Sequence, residues 1–399
     1  MKKFLPSSSS STILRRASSR IYCGQFTPSG NLFYCAGQDW TLHVFDSRDP
    51  LKMQHLADIP CVRGQWTVTD ATADQEGRWL AYASITPVVY LTPTGDSESN
   101  FSPPIKGGLG SRQVALDFDP AQSLNFGLWS VRFSADAREL VAGASDGNIF
   151  VYDIERKEVL LRIDGHDEDV NAVCFADEST NVLFSGSDDS FVKVWDRRSL
   201  RSNRPSGVLM GHTEGITYVD TKGDGRYLLS TAKDQTSKLF DVRRMYDADD
   251  FQRRWNTRQG KTQLDKRLDW DYRYMAYPGP PTHRHPEDRS VQTYRGHKVL
   301  KTLIRSRFTP SSYTGQGYVY AGSADGKVRF YDVLSGECVN TVDVQSVVKS
   351  NPELSEHTTG HGRYLWGRRS RGGECVTRDV TMHPHLPVLV TTSWCKLLS

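Results

Sequence analysis

The stretch LFSGSDDSFVKVWDRR, residues 183–198, is followed 45 positions later by LLSTAKDQTSKLFDVR, residues 228–243. Each alternates apolar and polar residues, breaks at a polar turn (Asp188-Asp189 and Asp234-Gln235), alternates again, and ends in an aromatic residue and Asp. Period-two alternation puts successive side chains on opposite faces of a strand, so each stretch reads as two strands joined by a tight turn. The same ending recurs at Val44-Phe45-Asp46, Val151-Tyr152-Asp153 and Phe330-Tyr331-Asp332, and the copies ending at Asp153, Asp196 and Asp241 lie 43 and 45 residues apart. A period of that length marks a unit that cannot bury its sheet face without neighbours.

Upstream of three endings stand Gly165-His166, Gly211-His212 and Gly296-His297, and a third turn falls at Asp325-Gly326. The spacing predicts four-stranded WD-repeat blades and an all-β, seven-bladed β-propeller. Tyr22 to Asp46 and Gln65 to Leu91 supply weaker blades, Trp129 to Asp153 the third, and Arg378 to Ser399 the last. The propeller is expected over 19–399, after a disordered Ser-rich tail at 1–18. Surface insertions are expected at about 92–125, 243–295 and 345–377, where Gly, Pro, Ser and charge interrupt the rhythm. The middle insertion holds Trp255, Trp270, Tyr272, Tyr274 and Tyr277 among many arginines, more aromatics than a solvated linker needs. It is expected to fold over one face of the ring.

Composition narrows the function classes. A chain of 399 residues with 37% hydrophobic content can bury a large core, and no run reaches the ~18 apolar residues that span a bilayer. With no secretory h-region after Met1, an intracellular place, nucleus or cytoplasm, is expected, with no membrane partner. The first 38 residues contain no acid and many serines, a composition shared by transit peptides and disordered tails; the tail reading is preferred. Arg15-Arg16-Ala17-Ser18 also resembles a basophilic kinase site. Seven scattered cysteines (23, 35, 61, 174, 338, 375 and 395) without a CxxC pair point to reduced thiols rather than a zinc site or disulfide framework. A net charge of +3 gives nucleic acid no default claim, although Arg363 to Arg371 (RYLWGRRSR) and the middle insertion are basic enough for an acidic-partner surface or a localisation patch.

His166, Ser185, Asp189 and Trp195 contain the residue types of a hydrolase triad. His212, Ser230, Asp234 and Phe240 hold the same places one blade later, and a catalytic triad has no reason to be copied in register. The sets resemble the buried structural tetrad of WD repeats, in which Asp holds His and His is linked through Ser to the Trp indole. Blades with Ala142 or Ala321 in place of Ser are expected to lock more weakly. The three Gly-His histidines belong to different blades, and His283, Arg284, His285 has no further ligand at metal-site spacing, so no metal is expected. Without a phosphate-cradling loop or dinucleotide fingerprint, neither a cofactor nor an enzyme activity is expected.

The two quoted boxes each place an arginine two positions after the closing Asp. This resembles the double box of WD-repeat substrate receptors that dock on the damaged-DNA-binding adaptor of cullin-four RING ubiquitin ligases. Longer stretches are similar to one branch of them, the family of damaged-DNA-binding-adaptor and cullin-four associated factor eleven, or WD-repeat protein twenty-three, with its plant relatives. They include GHTEGITYVDTKGDGRYLLSTAKDQTSKLFDVRRM, DYRYMAYP, GHKVLKTLIRSRFTP and HPHLPVLVTTSW, within a similarity running from about Ser19 to Trp394. The resemblance implies a non-catalytic scaffold that holds adaptor and ligase near an unknown target protein. It also implies that Asp196 and Asp241 shape strand ends while Arg198 and Arg243 contact the adaptor. A scaffold in another complex, in RNA processing or chromatin, is the alternative. Where the family continues Ser-Trp-Asp-Gly, this sequence reads Ser393-Trp394-Cys395-Lys396-Leu397-Leu398-Ser399. The last blade is therefore expected to be incomplete, with Val388 to Thr392 as an unpaired apolar edge that lowers stability or promotes association.

Overall fold

Alternating apolar residues become strands when one face can be buried. Residues 170–209 do this as a four-stranded antiparallel sheet of Val170–Phe175, Val182–Ser187, Val192–Asp196 and Gly207–Leu209. The computed structural model describes residues 5–6, 14–16, 19–94, 113–122, 125–200, 203–255, 270–279, 284–350, 375–394 and 397–398. Among them this blade pattern recurs in five other full sheets, spanning Ile21–Pro60, Val68–Asp117, Leu128–Asp164, Ile216–Arg295 and Ser306–Asp343. A further sheet is rudimentary and composite: Thr377–Met382 and Leu389–Ser393 are extended by two-residue strands, Leu397–Leu398 and Arg15–Arg16. The seven blades expected from the sequence thus meet six full blades and one minimal sheet. Blades are numbered below in chain order from Ile21, with the composite sheet last.

The first strand of each sheet is innermost, and each touches the next around a ring that closes from Thr377–Met382 back onto Ile21–Phe26. Close approach between blades demands small residues at the end of the second strand. A Cβ on Gly143 would stand 2.6 Å from the Val170 carbonyl oxygen, and one on Gly322 would stand 2.5 Å from that of Thr377. Apolar seams fill the space between blades, as where Leu128, Val131 and Phe150 meet Ala81, Val89 and Leu116. No helix among the described residues is long and apolar enough to cross a membrane.

Several boundaries move. The segment read as an insertion from 92 begins inside the strand Val88–Pro93, and it contains blade two's outer strand, Val114–Asp117. Gln292–Arg295, inside the middle insertion, is the outer strand of blade five. These two outer strands are four residues long and half-exposed, because only one edge and little of one face is covered, so they lack the long alternation that reveals inner strands. In the stretch read as a tail, Leu5 packs against the blade-six core, the Pro6 carbonyl accepts from Asn340 Nδ2 at 2.7 Å, and Arg15–Arg16 pairs with Leu397–Leu398. Of the edge expected to be open, Val388 to Thr392, the strand Leu389–Ser393 is paired outward, among the described residues, where Thr392 faces Leu398. Ala17, Ser18, His283, Cys395 and Arg363 to Arg371 lie outside the described residues.

At the axis the apolar rule is broken. Asp70 and Asp379 are fully buried, and Arg305 bridges them at 2.9 and 3.0 Å. Asp70 also accepts from Arg132 Nη1 at 2.5 Å, Ser130 Oγ and the Val131 N–H, while Asp379 accepts from Arg307 and the Gly24 N–H. Ser130 Oγ in turn accepts from the Val173 N–H, and the Tyr218 ring lies 5.0 to 5.6 Å from three of the guanidinium carbons. Every innermost strand, or a residue beside it, therefore contributes to one charge network. Burial alone would raise the Asp70 carboxyl, but Arg132 and Arg305 outweigh it and bring the pKa down to about 2.

The His, Ser and Asp side chains of blades four and five lie in contact with one another. His166 Nδ1 lies 2.7 Å from Asp189 and its Nε2 2.7 Å from Ser185 Oγ, which accepts from Trp195 Nε1 at 2.8 Å. His212 repeats the first two contacts with Asp234 and Ser230, and Phe240 offers no donor. Blade six differs: with Ala321 in the serine place, His297 Nδ1 meets the Tyr331 hydroxyl at 3.1 Å and Nε2 meets Ser237 of the preceding blade. Its turn Asp325 is taken by Arg329, so burial, with Arg329 adding, pushes His297 down to about 4. The turns themselves use left-handed backbone at Ser190, Gln235 and Gly326. In blade four that residue is one beyond the Asp188-Asp189 pair.

Three outcomes follow for solution measurements. Asp379→Ala leaves Arg307 without its ion-pair partner in the interior, takes one of two from Arg305, and is expected to cost about 3–5 kcal/mol by denaturant unfolding. Ser185→Ala leaves His166 Nε2 and Trp195 Nε1 unpaired and should cost about 1–3 kcal/mol, more than Ser230→Ala, where only His212 Nε2 loses its partner; equal costs would refute the lock. Acid should unfold the chain in two stages. Below pH ~6.5 the unfolded chain takes up a proton that buried His297 refuses until about 4, so stability declines across that window. Asp70 and Asp234, both at about 2, stabilise fully above pH ~4 and lose that contribution as pH falls toward 2. Thermal midpoints recorded from pH 7 to 2 check this, and His297→Gln should shrink the first stage.

Candidate protein-interaction sites

The third strand of each blade runs from one face of the ring to the other. In blade four it starts beside the turn at Asp188, which lines the mouth of the central cavity, and ends at Asp196. Five residues of strand span about 16 Å, so Asp196, and by the same register Asp241, sit on the face opposite that mouth.

On that face the two boxes are locally alike and electrostatically different. Asp196 accepts from the Arg198 N–H and clasps the Arg198 guanidinium at 2.9 and 2.7 Å, which holds its carboxyl below the usual range. Arg198 remains 67% exposed, so the clasp orients the guanidinium without removing it from water. Asp241 also accepts the N–H of its own Arg243, but its carboxylate is held by Arg226 at 3.1 and 2.7 Å. Arg243 is exposed and makes no side-chain hydrogen bond among the described residues. Arg197, between the box residues, reaches back to Glu139 of blade three at 2.6 and 2.9 Å. The sequence reading missed a third copy: Asp46 clasps Arg48 in blade one as Asp196 clasps Arg198. The Asp-x-Arg spacing was the available signal.

The opposite face opens into a cavity of about 1260 Å³. Residues at the starts of inner strands, invisible to repeat reading because they differ from blade to blade, line it. Trp394, Tyr22, Trp66 and Trp129 form an arc with successive ring centroids 5.5, 4.9 and 6.3 Å apart. The middle insertion contributes Trp270 to Tyr274; Tyr272 lies 4.5 Å from Lys233 Nζ, and its carbonyl accepts from the Lys301 N–H. Another part of that insertion, the helix Ala248–Trp255, packs Phe251 and Trp255 against Phe191 of blade four.

The tetrad residues His166, Ser185, Asp189 and Trp195, with His212, Ser230, Asp234 and Phe240, are buried or nearly so and hold one another rather than a reacting group. Among the described residues, His43, His55 and Asp58 form the one group whose ligand atoms could gather round an ion. Asp58 lies 2.6 and 2.7 Å from the two imidazoles, so hydrogen bonds already account for the group. Cys23, Cys61, Cys174 and Cys338 are free thiols, and burial pushes Cys23 up to about 12, which makes it inert as a nucleophile.

The family model of the WD domain, G-beta repeat, matches residues 8–46, 118–153, 157–196 and 203–241. The LEC14B protein of Lithospermum erythrorhizon is 38% identical over 386 residues, covering 96% of this chain and 72% of that protein. The LEC14B homolog of Prunus armeniaca is 38% identical over 95% of this chain and 71% of its own length. The DDB1- and CUL4-associated factor 11 homolog of Caenorhabditis elegans is 30% identical over 390 residues, 95% of this chain and 60% of that protein. With its propeller sheets, its repeated boxes and a similarity that covers 96% of this chain and 72% of the Lithospermum protein, the chain belongs to the LEC14B family of WD-repeat proteins, which has DDB1- and CUL4-associated factor 11 homologues among its relatives.

Proposed function

We propose that this chain is the substrate-recognition subunit of a cullin-four RING E3 ubiquitin ligase: a non-catalytic scaffold, inside the cell, that holds the DDB1 adaptor and a target protein together. The observation that carries the reading is the pair of Asp-anchored arginines, Arg198 and Arg243, on the face opposite the cavity, in a chain whose relatives include proteins named for association with DDB1 and CUL4. Asp196 and Asp241 bind the backbone N–H of their arginines and so fix where each guanidinium leaves the strand end. Arg198, whose guanidinium Asp196 also clasps, loses little freedom on meeting an acceptor, and Arg243 offers an uncommitted side chain beside it. The propeller is read as seven-bladed, the composite sheet being its last blade, and this ring separates the adaptor face from the target face.

The mechanism is proximity. Holding the target beside the ubiquitin-loaded enzyme raises its effective concentration at target lysines, and the propeller performs no bond chemistry itself. Co-purification of DDB1 with the wild-type chain and with Arg198→Ala plus Arg243→Ala tests this. A desolvated arginine contact is worth about 2 kcal/mol or more, so the double variant should retain at least tenfold less adaptor. Equal retention removes the arginines from the interface. No retention by wild type hands the chain to a scaffold role in another complex.

A further inference from the structure

The central cavity carries a polarity that the receptor reading does not use. At one end of the aromatic arc, the Arg20 guanidinium lies 4.4 Å from the Trp394 ring and Arg378 lies 5.0 Å from Tyr22. Arg378 is only 5% exposed. Its Nε donates to Thr302, but Nη1 has no acceptor, and Trp394 Nε1 has no hydrogen-bond partner either. Buried polar groups are nearly always paired, because leaving one unpaired costs as much as a hydrogen bond is worth. Two orphaned donors, on side chains that both pack against the Tyr22 ring and line one cavity, are therefore a demand for an acceptor. Neither Arg20 nor Arg378 has an ion-pair partner among the described residues. Burial, with Arg305 adding, lowers Arg378 to about 10, the mark of a positive charge short of a counter-charge.

The far end of the arc has the opposite sign. Trp129 Nε1 donates to Asp169 at 3.0 Å, and Glu168 stands beside it. Among the described residues, Glu168, Asp169 and Asp188 share the single cation Lys233, which pairs with Asp188 at 2.7 Å, and burial with Asp188 adding raises the Glu168 and Asp169 carboxyls. Between the ends Trp66 is 52% exposed and held at φ 67°, a left-handed backbone that a bulky residue seldom adopts. Strain of that kind is retained where a side chain must stand in one place.

We infer that the cavity is a peptide-binding site in which Arg20, Arg378 and the Trp394 indole N–H take a carboxylate, while the aromatic arc carries the following residues toward Glu168 and Asp169. The inference rests on the reading of the chain as a target receptor and names the chemistry of its target: an extended segment with a carboxylate at one end and a tolerated Lys or Arg a few residues away. A polyanion such as nucleic acid would bring further phosphates against Glu168 and Asp169, so the charge pattern selects a peptide. The carboxylate can be a chain terminus or an Asp or Glu side chain, and both present the same two oxygens.

The test uses the whole chain and four pools of unstructured octapeptides labelled with an uncharged boron-dipyrromethene dye, with free or amidated C-termini and with or without internal Asp and Glu, read by fluorescence polarisation. The carboxylate-bearing pools should bind and the amidated, acid-free pool should not; the free-terminus and internal-acid pools then distinguish the two sources. Arg20 is exposed, so Arg20→Glu should fold normally and weaken binding at least about tenfold. Arg378→Met should do the same, with circular dichroism reporting its fold. Binding of the acid-free pool as tightly as the others, binding unchanged by Arg20→Glu, or binding by no pool overturns the inference. DDB1 retention measured on the same preparations separates the two readings. Retention without peptide binding sinks the cavity assignment alone, and peptide binding without retention sinks the ligase assignment alone.

Discussion

Everything else in this propeller is arranged around the Asp70–Arg305–Asp379 bridge. A ring of sheets has no central layer of its own, and its inner strands need something to meet at the axis. Here they meet in charge: two carboxylates at 0% exposure, three guanidinium groups, the Tyr218 ring and the Ser130 hydroxyl, drawn from strands between 21 and 382. Such a network adds little stability over an apolar plug, but each member fixes the position of the others. It thereby sets the distance of every blade from the axis, and with it the shape of the two faces.

The tetrads act at the next level out, within and between blades, and their gradation follows from single atoms. Where Ser185 and Trp195 are both present the chain of hydrogen bonds is complete; where Phe240 replaces the Trp it ends at Ser230; where Ala321 replaces the Ser, His297 turns to Tyr331 and to the preceding blade. The composite sheet has the least of this reinforcement. It is held by the ring closure of its inner strand and by Asp379 rather than by its two-residue outer strands.

Two faces with different electrostatics result. One presents arginines at strand ends, each anchored through its backbone N–H to an Asp, and the other a bipolar aromatic cavity. The strand length between them, about 16 Å, is enough to keep two protein partners apart on one small ring.

The sequence by itself determined the blade. Alternation in 183–198 and 228–243, the 43- and 45-residue spacings, the duplicated His-Ser-Asp sets and the Asp-x-Arg endings are local patterns, and local patterns survive in a linear reading because strand period and turn chemistry act over a few residues. Outer strands such as Val114–Asp117 and Gln292–Arg295 were not legible, since half-exposed edges tolerate any polar residue. The tertiary structure alone decided that Arg226 rather than Arg243 holds the Asp241 carboxylate, that Arg305 joins Asp70 to Asp379, and that Trp66, Trp129 and Trp394 share a cavity. Those contacts link residues up to 328 positions apart, from Trp66 to Trp394, and break the repeat. Their positions follow from ring closure, which no single blade encodes.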